Sequence, residues 1–317
     1  MESVARHLLS LDDLPDAALH AIVQRGTHLA VSGLGAERPL RDKVVGTYFR
    51  KTSTRTRVAF SGAALRLGAQ VITLGPGDLQ TNTGESWQDT GDVLSRMLDA
   101  IVVRTAADPA ELREWTGQRT MSVINAMTSD EHPTQALADL ATLRQHFARI
   151  SGLRLLYVGE GNNTAAALAL ALARYPDVML EFRTPPGYGV DPGVWERALT
   201  HAKRCGATLA ERHDLDDLPP GCDVIYTTRW QTTGSVKPDA NWRRTFAPFQ
   251  VTGAMWERSP DSVFMHDLPA HRGEEVTAEV LDGPRSIALR QAENKMHSAM
   301  AVLEWCFGAL GEEPLAK

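Results

Sequence analysis

The sequence predicts an α/β protein of two doubly wound parallel-sheet domains, with the C-terminal helix crossing back to the first domain. Three observations predict it. From Val44 onward, short β-branched and aromatic runs alternate with stretches whose apolar residues recur at helical spacing. A second alternating series starts after Ser151-Gly152, which reads as a hinge between residues 1–150 and 151–317. The 317 residues, 43% of them apolar, are enough for two cores. Such alternation implies mostly parallel sheets covered on both faces.

In order, Ser10 is expected to open a helix that carries Leu14, Ala18, Leu19, Ile22 and Val23 on one side, with Asp12, Asp13 and Asp16 in its first turn. Gly33-Leu34-Gly35 breaks it. Val44 to Phe49 is a strand, Thr56 to Leu67 a helix and Gln70 to Leu74 a strand. A turn at Gly75-Pro76-Gly77-Asp78 leads into a polar loop ending at Gly84. Trp87 to Leu98 is a helix, Ala100 to Arg104 a strand, Pro109 to Thr116 a short helix and Ser122 to Asn125 a strand. Pro133 near a first turn starts a helix that runs to Phe147. The second series reads as strands at Leu153–Val158, Val178–Phe182, Asp223–Thr227 and Val263–His266, with helices at Thr164–Arg174 and Val194–Cys205. A last helix runs from about Ile287 to Phe307, its Met296, Met300, Leu303 and Phe307 recurring on one core-facing side.

Composition narrows the function. A net charge of -6 with no basic block argues against non-specific nucleic-acid binding. Three scattered cysteines, Cys205, Cys222 and Cys306, argue against a disulfide framework or a structural zinc site and fit a reducing compartment. Neither a signal-like N-terminus nor an apolar run of about 20 residues is present, so a soluble, cytoplasmic protein without membrane contact is expected.

In open sheets of this kind, ligands bind outside the carboxyl ends of the strands, and the polar motifs fall there. After the first strand comes Arg50-Lys51-Thr52-Ser53-Thr54-Arg55-Thr56-Arg57, a strand-to-helix turn with Ser53 placed to cap the helix. Its N–H groups, hydroxyls and guanidinium groups suit a phosphate or similar oxyanion; an ordinary N-cap with solvated arginines is the alternative. Arg104 ends another strand and can reach the same anion. His132-Pro133-Thr134-Gln135 opens a helix, where a histidine is kept neutral and can donate to a carbonyl. Gly159-Glu160-Gly161-Asn162-Asn163-Thr164 begins like a dinucleotide fingerprint but has Thr164 at the third glycine. Asn162 and Asn163 offer amides to a small polar ligand instead. Arg229, after the strand ending at Thr227, suits a carboxylate, and Asp267, after His266, suits an amine.

Together these residues resemble the aspartate/ornithine carbamoyltransferase family over nearly the whole chain. The resemblance rests on Ser53-Thr54-Arg55-Thr56-Arg57, Gln80 with Glu85-Ser86, Arg104, His132-Pro133-Thr134-Gln135, Gly161-Asn162-Asn163, His266-Asp267-Leu268-Pro269 and Glu293-Asn294. It implies a carbamoyl phosphate domain at 1–150 and an acceptor amino-acid domain at 151–317, a homotrimer or a multiple of trimers, and chemistry without metal or organic cofactor. Ser53, Thr54, Arg55, Thr56, Gln80, Arg104, His132, Gln135 and Lys295 are implied to bind carbamoyl phosphate, Gln80 from the neighbouring subunit. Arg104, His132, Gln135 and Asp267 carry the implied catalysis. Asn163, Thr228, Arg229, Gln231, Thr232, Asp267 and Leu268 are implied to meet the acceptor.

The chain departs from the ornithine-type pattern in the acceptor half. Ornithine-type members have aspartate where this chain has Thr228, Ser-Met-Gly where it has Thr232-Thr233-Gly234, and His-Cys-Leu-Pro where it has His266-Asp267-Leu268-Pro269. Thr228-Arg229-Trp230-Gln231 resembles the Thr-Arg-x-Gln of aspartate-type members, but the lysine of their mobile loop is missing from Thr81-Asn82-Thr83. Lys295 replaces an arginine. The expectation is carbamoyl transfer to the side-chain amine of a diamino acid other than ornithine, for example 2,3-diaminopropionate. The alternatives are an ornithine carbamoyltransferase with drifted acceptor loops and a non-catalytic anion-binding regulatory protein.

Overall fold

The computed structural model describes residues 5–232 and 236–310. The chain forms two compact units, Met1–Ser129 with Asn294–Lys317, and Asp130–Glu293. Each is a parallel sheet flanked by helices, as the alternation requires.

In the first unit, α1 (Asp16–Ser32) is followed by β1 (Val44–Phe49), α2 (Arg55–Arg66), β2 (Gln70–Leu74), α3 (Trp87–Leu94), β3 (Ala100–Arg104), α4 (Ala110–Glu114) and β4 (Ser122–Met127). The strands lie in the order β2-β1-β3-β4. β3 is buried along its whole length, as a central strand covered on both faces should be, whereas β2 is half exposed at the edge. Ile101 and Val102 are fully buried, and each such side chain contributes about 1.5–3 kcal/mol. Tyr48, Leu79, Leu98, Val103 and Trp115 pack in the same cluster as Ile101.

Helix α1 starts later than its sequence suggests. Its N-cap is Pro15, and Ser10 instead accepts from the Asp12 N–H at 3.1 Å, closing a local turn. Helix α3 ends at Leu94 rather than Leu98, and β4 runs two residues beyond Asn125.

The second unit contains α5 (Pro133–Phe147), β5 (Arg154–Val158), α6 (Asn163–Leu172), β6 (Met179–Arg183), α7 (Pro192–Cys205), β7 (Thr208–Arg212), β8 (Val224–Thr227), α8 (Trp242–Phe246), β9 (Val263–His266) and α9 (Ala278–Leu281). The strand order is β7-β6-β5-β8-β9. The last helix, α10 (Ala288–Cys306), contains the 293/294 point at which the chain rejoins the first unit. Among the described residues, no helix is long and apolar enough to cross a membrane.

Both sheets reverse winding direction once. In the first, β1 has β2 on one side and β3 on the other; in the second, β5 has β6 and β8. The loops leaving β1 and β3 therefore flank one topological switch point, and those leaving β5 and β8 the other. A crevice for ligand forms at such points.

Candidate active site

At the first switch point, Phe49 pairs in register with Arg104 across β1 and β3, and the Arg50 N–H donates to the Arg104 carbonyl at 3.0 Å. This pairing brings the 50–57 turn beside Arg104. Arg104 is 9% exposed, and its Nη1 donates to Thr56 Oγ1 at 3.3 Å. The helix cap differs from expectation. Thr54, not Ser53, is the N-cap of α2; its backbone is already helical, and its side chain makes no cap hydrogen bond. A hydroxyl on a residue with helical φ/ψ cannot fold back over the first turn as an extended N-cap does. The turn's cations also divide by role. Arg50 pairs with Glu111 at 2.6 Å and lies 5.6 Å from the Trp87 ring, and Arg57 stacks 5.0 Å from the Phe49 ring. Arg104 instead reaches Thr56. Ser53 and Arg55 are half-buried, Thr54 exposed and Thr56 buried.

Two further residues of this unit lie on other elements. Gln80 is exposed in a single 3-10 turn, Gln80–Thr83, and its Oε1 accepts from Thr83 Oγ1 at 3.2 Å. Lys295 is on α10 and 9% exposed.

At the second switch point, the β5–α6 loop is set by two sequence features. A Cβ at Gly161 would collide with the backbone of Gly189 and Val190, so that glycine serves a close crossing of two loops. Asn162 caps α6: its Oδ1 accepts from Thr164 N at 3.0 Å and Ala165 N at 3.2 Å, and its Nδ2 donates to Thr232 Oγ1 at 3.0 Å. The amide of Asn162 is thus spent on the fold rather than offered to a ligand. Asn163 is buried, and its carbonyl accepts from the His132 N–H at 3.2 Å. His132 is the N-cap of α5, with Pro133 following, and is itself buried.

Asp267 meets one other departure, Thr228. Thr228 Oγ1 donates to its Oδ1 at 2.8 Å, and Thr164 Oγ1 donates to its Oδ2 at 3.0 Å. The carboxylate therefore joins the ends of β8 and β9 to the start of α6. It also contributes, after burial, to raising Tyr157 and Tyr226 well above the ordinary tyrosine range. Leu268 follows with φ 54°, its N–H donating to His266 Nδ1 at 2.8 Å. Arg229 and Gln231 are half-buried beyond β8. Thr233 and Gly234 lie outside the described residues.

Sequence reading did not find several groups in this unit. Glu160 pairs with Lys237, whose ammonium lies 4.9 Å from the Phe246 ring, 5.0 Å from Tyr188 and 5.8 Å from Trp242. Burial pushes Glu160 up and Lys237 down, each opposed by its partner's charge. In the same unit Asp139, one turn after Gln135, is fully buried and accepts from Gln135, Gln291 and Tyr226. The i, i+4 spacing of Gln135 and Asp139 was the available signal. His271, Glu274 and Glu275 bring possible metal-ligand atoms within 4.8 Å of one another. Glu275 Oε1 already joins His266 Nε2 at 3.1 Å and accepts from the His271 N–H at 2.6 Å, which suits a structural role.

Comparison with known proteins places these clusters in context. The family described as aspartate/ornithine carbamoyltransferase, carbamoyl-P binding domain, matches residues 6–145. Its companion, the Asp/Orn binding domain, matches residues 151–306. Ornithine carbamoyltransferase of Gloeobacter violaceus is 41% identical over 302 residues, 95% of either chain. That of Methanothermobacter thermautotrophicus is 40% identical, over 86% of this chain and 90% of the other. The structure resembles ornithine carbamoyltransferase from Pyrococcus furiosus with a TM-score of 0.88 at 38% identity, covering 95% of this chain and 96% of that one.

Proposed function

Since the chain belongs to the aspartate/ornithine carbamoyltransferase family and is a carbamoyltransferase, we propose that its acceptor is a diamino acid other than ornithine, whose side-chain amine meets Asp267. The supporting observation is the 2.8 Å contact from Thr228 Oγ1 to Asp267 Oδ1. Two of the positions that depart from the ornithine-type pattern touch each other. A carboxylate is lost just after β8 and one is gained just after β9, so the negative charge changes its point of attachment. An amine drawn to it sits at a different reach from the backbone carboxylate, which calls for a chain length other than ornithine's, 2,3-diaminopropionate being one candidate. Asn163 and Arg229, with Gln231, Thr232 and Leu268 around them, are proposed to hold the acceptor's carboxylate and backbone.

The donor roles follow from charge and donor placement. Ser53, Thr54, Arg55 and Thr56 with the N-terminus of α2 bind the phosphate, the uncapped first turn of that helix favouring an anion. Arg104 and Thr56 donate to the carbonyl oxygen as it gains charge, as does His132; one such donor is worth about 3 kcal/mol. Gln135 holds the carbamoyl amide. Lys295 adds positive charge and Gln80 serves a neighbouring subunit. The neutral amine attacks the carbamoyl carbon, the carbon–oxygen bond to phosphate breaks, and the departing phosphate takes the amine proton. Holding the reactants in line supplies up to about 7–11 kcal/mol. Residues 1–150 and 151–317 are the proposed donor and acceptor domains.

We further propose a cytoplasmic homotrimer. All three cysteines are free thiols, in keeping with a reducing compartment. Val58, Leu65, Ile72 and Met97 of the first unit are 46–67% exposed, which supports burial against another copy.

A second reading, ornithine as acceptor, is favoured by the relatives named ornithine carbamoyltransferase at 40–41% identity. Incubation with carbamoyl phosphate and a panel of diamino acids, aspartate and simple amines, with products identified by mass, separates the two.

A further inference from the structure

We infer that Asp139 is a positioning residue that fixes which end of the Gln135 amide faces the carbamoyl group. This rests on the reading that Gln135 holds that group. Gln135 and Asp139 lie one turn apart on α5, and Gln135 Nε2 donates to Asp139 Oδ1 at 2.8 Å. A carboxylate can only accept, so the amide must turn its NH₂ toward Asp139 and its carbonyl Oε1 the other way. Gln135 is 1% exposed and Asp139 fully buried, so water cannot substitute for either partner.

Asp139 itself is held by a network with one sense of donation. Gln291 Nε2 donates to Oδ1 at 2.7 Å and Tyr226 OH to Oδ2 at 2.9 Å. The orientation of Gln291 is fixed from its other end, since its Oε1 accepts from the His266 N–H at 2.9 Å. A backbone N–H can only donate and a carboxylate can only accept, so neither end of the chain His266–Gln291–Asp139–Gln135 can reverse. Burial, reinforced by the carboxylates of Asp139 and Asp267, keeps the Tyr226 phenol protonated and hence a donor. Buried charge of this kind persists only when hydrogen-bonded, and Asp139 receives three donors.

The consequence is chemical selectivity. An amide carbonyl accepts from the NH₂ of a carbamoyl group but gains nothing from a methyl in its place. Gln135, polarised by Asp139, therefore reads the nitrogen of the donor. The same network reaches the backbone of His266, next to Asp267, so one buried carboxylate orients the donor's reader and braces the strand end that carries the acceptor's.

The test is the ratio of dissociation constants for acetyl phosphate and carbamoyl phosphate, measured by calorimetry on the full chain. Acetyl phosphate is the same shape without the amine. The wild type should bind it about tenfold more weakly, the loss of about one hydrogen bond. In Asp139→Leu the acceptor that fixes the Gln135 amide is removed, so the amide can flip, and the ratio should fall below about threefold while melting remains cooperative. Gln135→Leu, which removes the reader without touching Asp139, should bring the ratio close to one. A folded Asp139→Leu protein with the wild-type ratio overturns the inference, as does a Gln135→Leu protein that still discriminates, whether or not Asp139→Leu folds. A wild type that binds neither ligand also overturns it, but by removing the functional reading on which it stands, a result visible before any variant is made.

Discussion

At the scale of single residues, the proposed acceptor role turns on one contact, Thr228 to Asp267. Asp267→Asn keeps shape and loses charge. It is expected to lower acceptor kcat/KM at least tenfold, about 1.4 kcal/mol, with carbamoyl phosphate affinity unchanged in a direct binding measurement. Restoring the ornithine-type pair, Thr228→Asp with Asp267→Cys, should move turnover toward ornithine in a competition between acceptors. On the donor side, Arg104→Ala removes the group bonded to Thr56 and should cost roughly 10²–10³ in kcat, read by phosphate release. The sequence made Ser53 to Arg57 legible because their chemistry is packed into adjacent positions. It could not tell Arg57 and Arg50 from Arg55, because stacking on Phe49 and pairing with Glu111 are set by the fold. The partnership of Thr228 and Asp267 was equally hidden, since 39 residues separate them and only the pairing of β8 with β9 brings them together.

At the scale of elements, strands were readable from their short β-branched and apolar runs. β1, β2, β3 and β9 begin and end where the pattern says. β7 was missed because Thr208–Arg212 alternates exposed and half-buried residues at the sheet edge, and its Glu and Arg read as loop. α8 and α9 were missed because four or five residues carry too little periodicity. α8 matters for the site, since Trp242 and Phe246 form part of the ring cluster around Lys237. That ammonium ties the loop after β8 to Glu160 after β5. Lys237→Met leaves a carboxylate uncompensated. Removal of one partner of a buried pair costs about 3–5 kcal/mol, and the 16% exposure of the Glu160 side chain puts this pair near the lower end. Chemical denaturation should show that loss, and adding Glu160→Gln should recover part of it.

At the scale of the molecule, stability and assembly carry their own expectations. Tyr157 and Tyr226 hold their protons well above the ordinary tyrosine range, chiefly through burial. A folded-state pKa raised above the unfolded value stabilises fully below the unfolded value, about 10, and is lost as pH climbs toward the folded one. Thermal melting should therefore fall steeply above about pH 10, and Tyr157→Phe should flatten the fall. Cys306, pushed up to about 12 by burial, should resist thiol reagents until the chain unfolds, while half-buried Cys205 reacts in the native state. The fold's two switch points give the whole its logic: one gathers hydroxyls and guanidinium groups, the other amides and a displaced carboxylate. What that displacement selects is read most directly by offering the enzyme carbamoyl phosphate with ornithine and its shorter homologues in equal amounts, then resolving the ureido products by mass. A diamino acid other than ornithine, such as 2,3-diaminopropionate, should be carbamoylated in preference to ornithine; ornithine as the preferred acceptor would contradict the proposed role of Asp267.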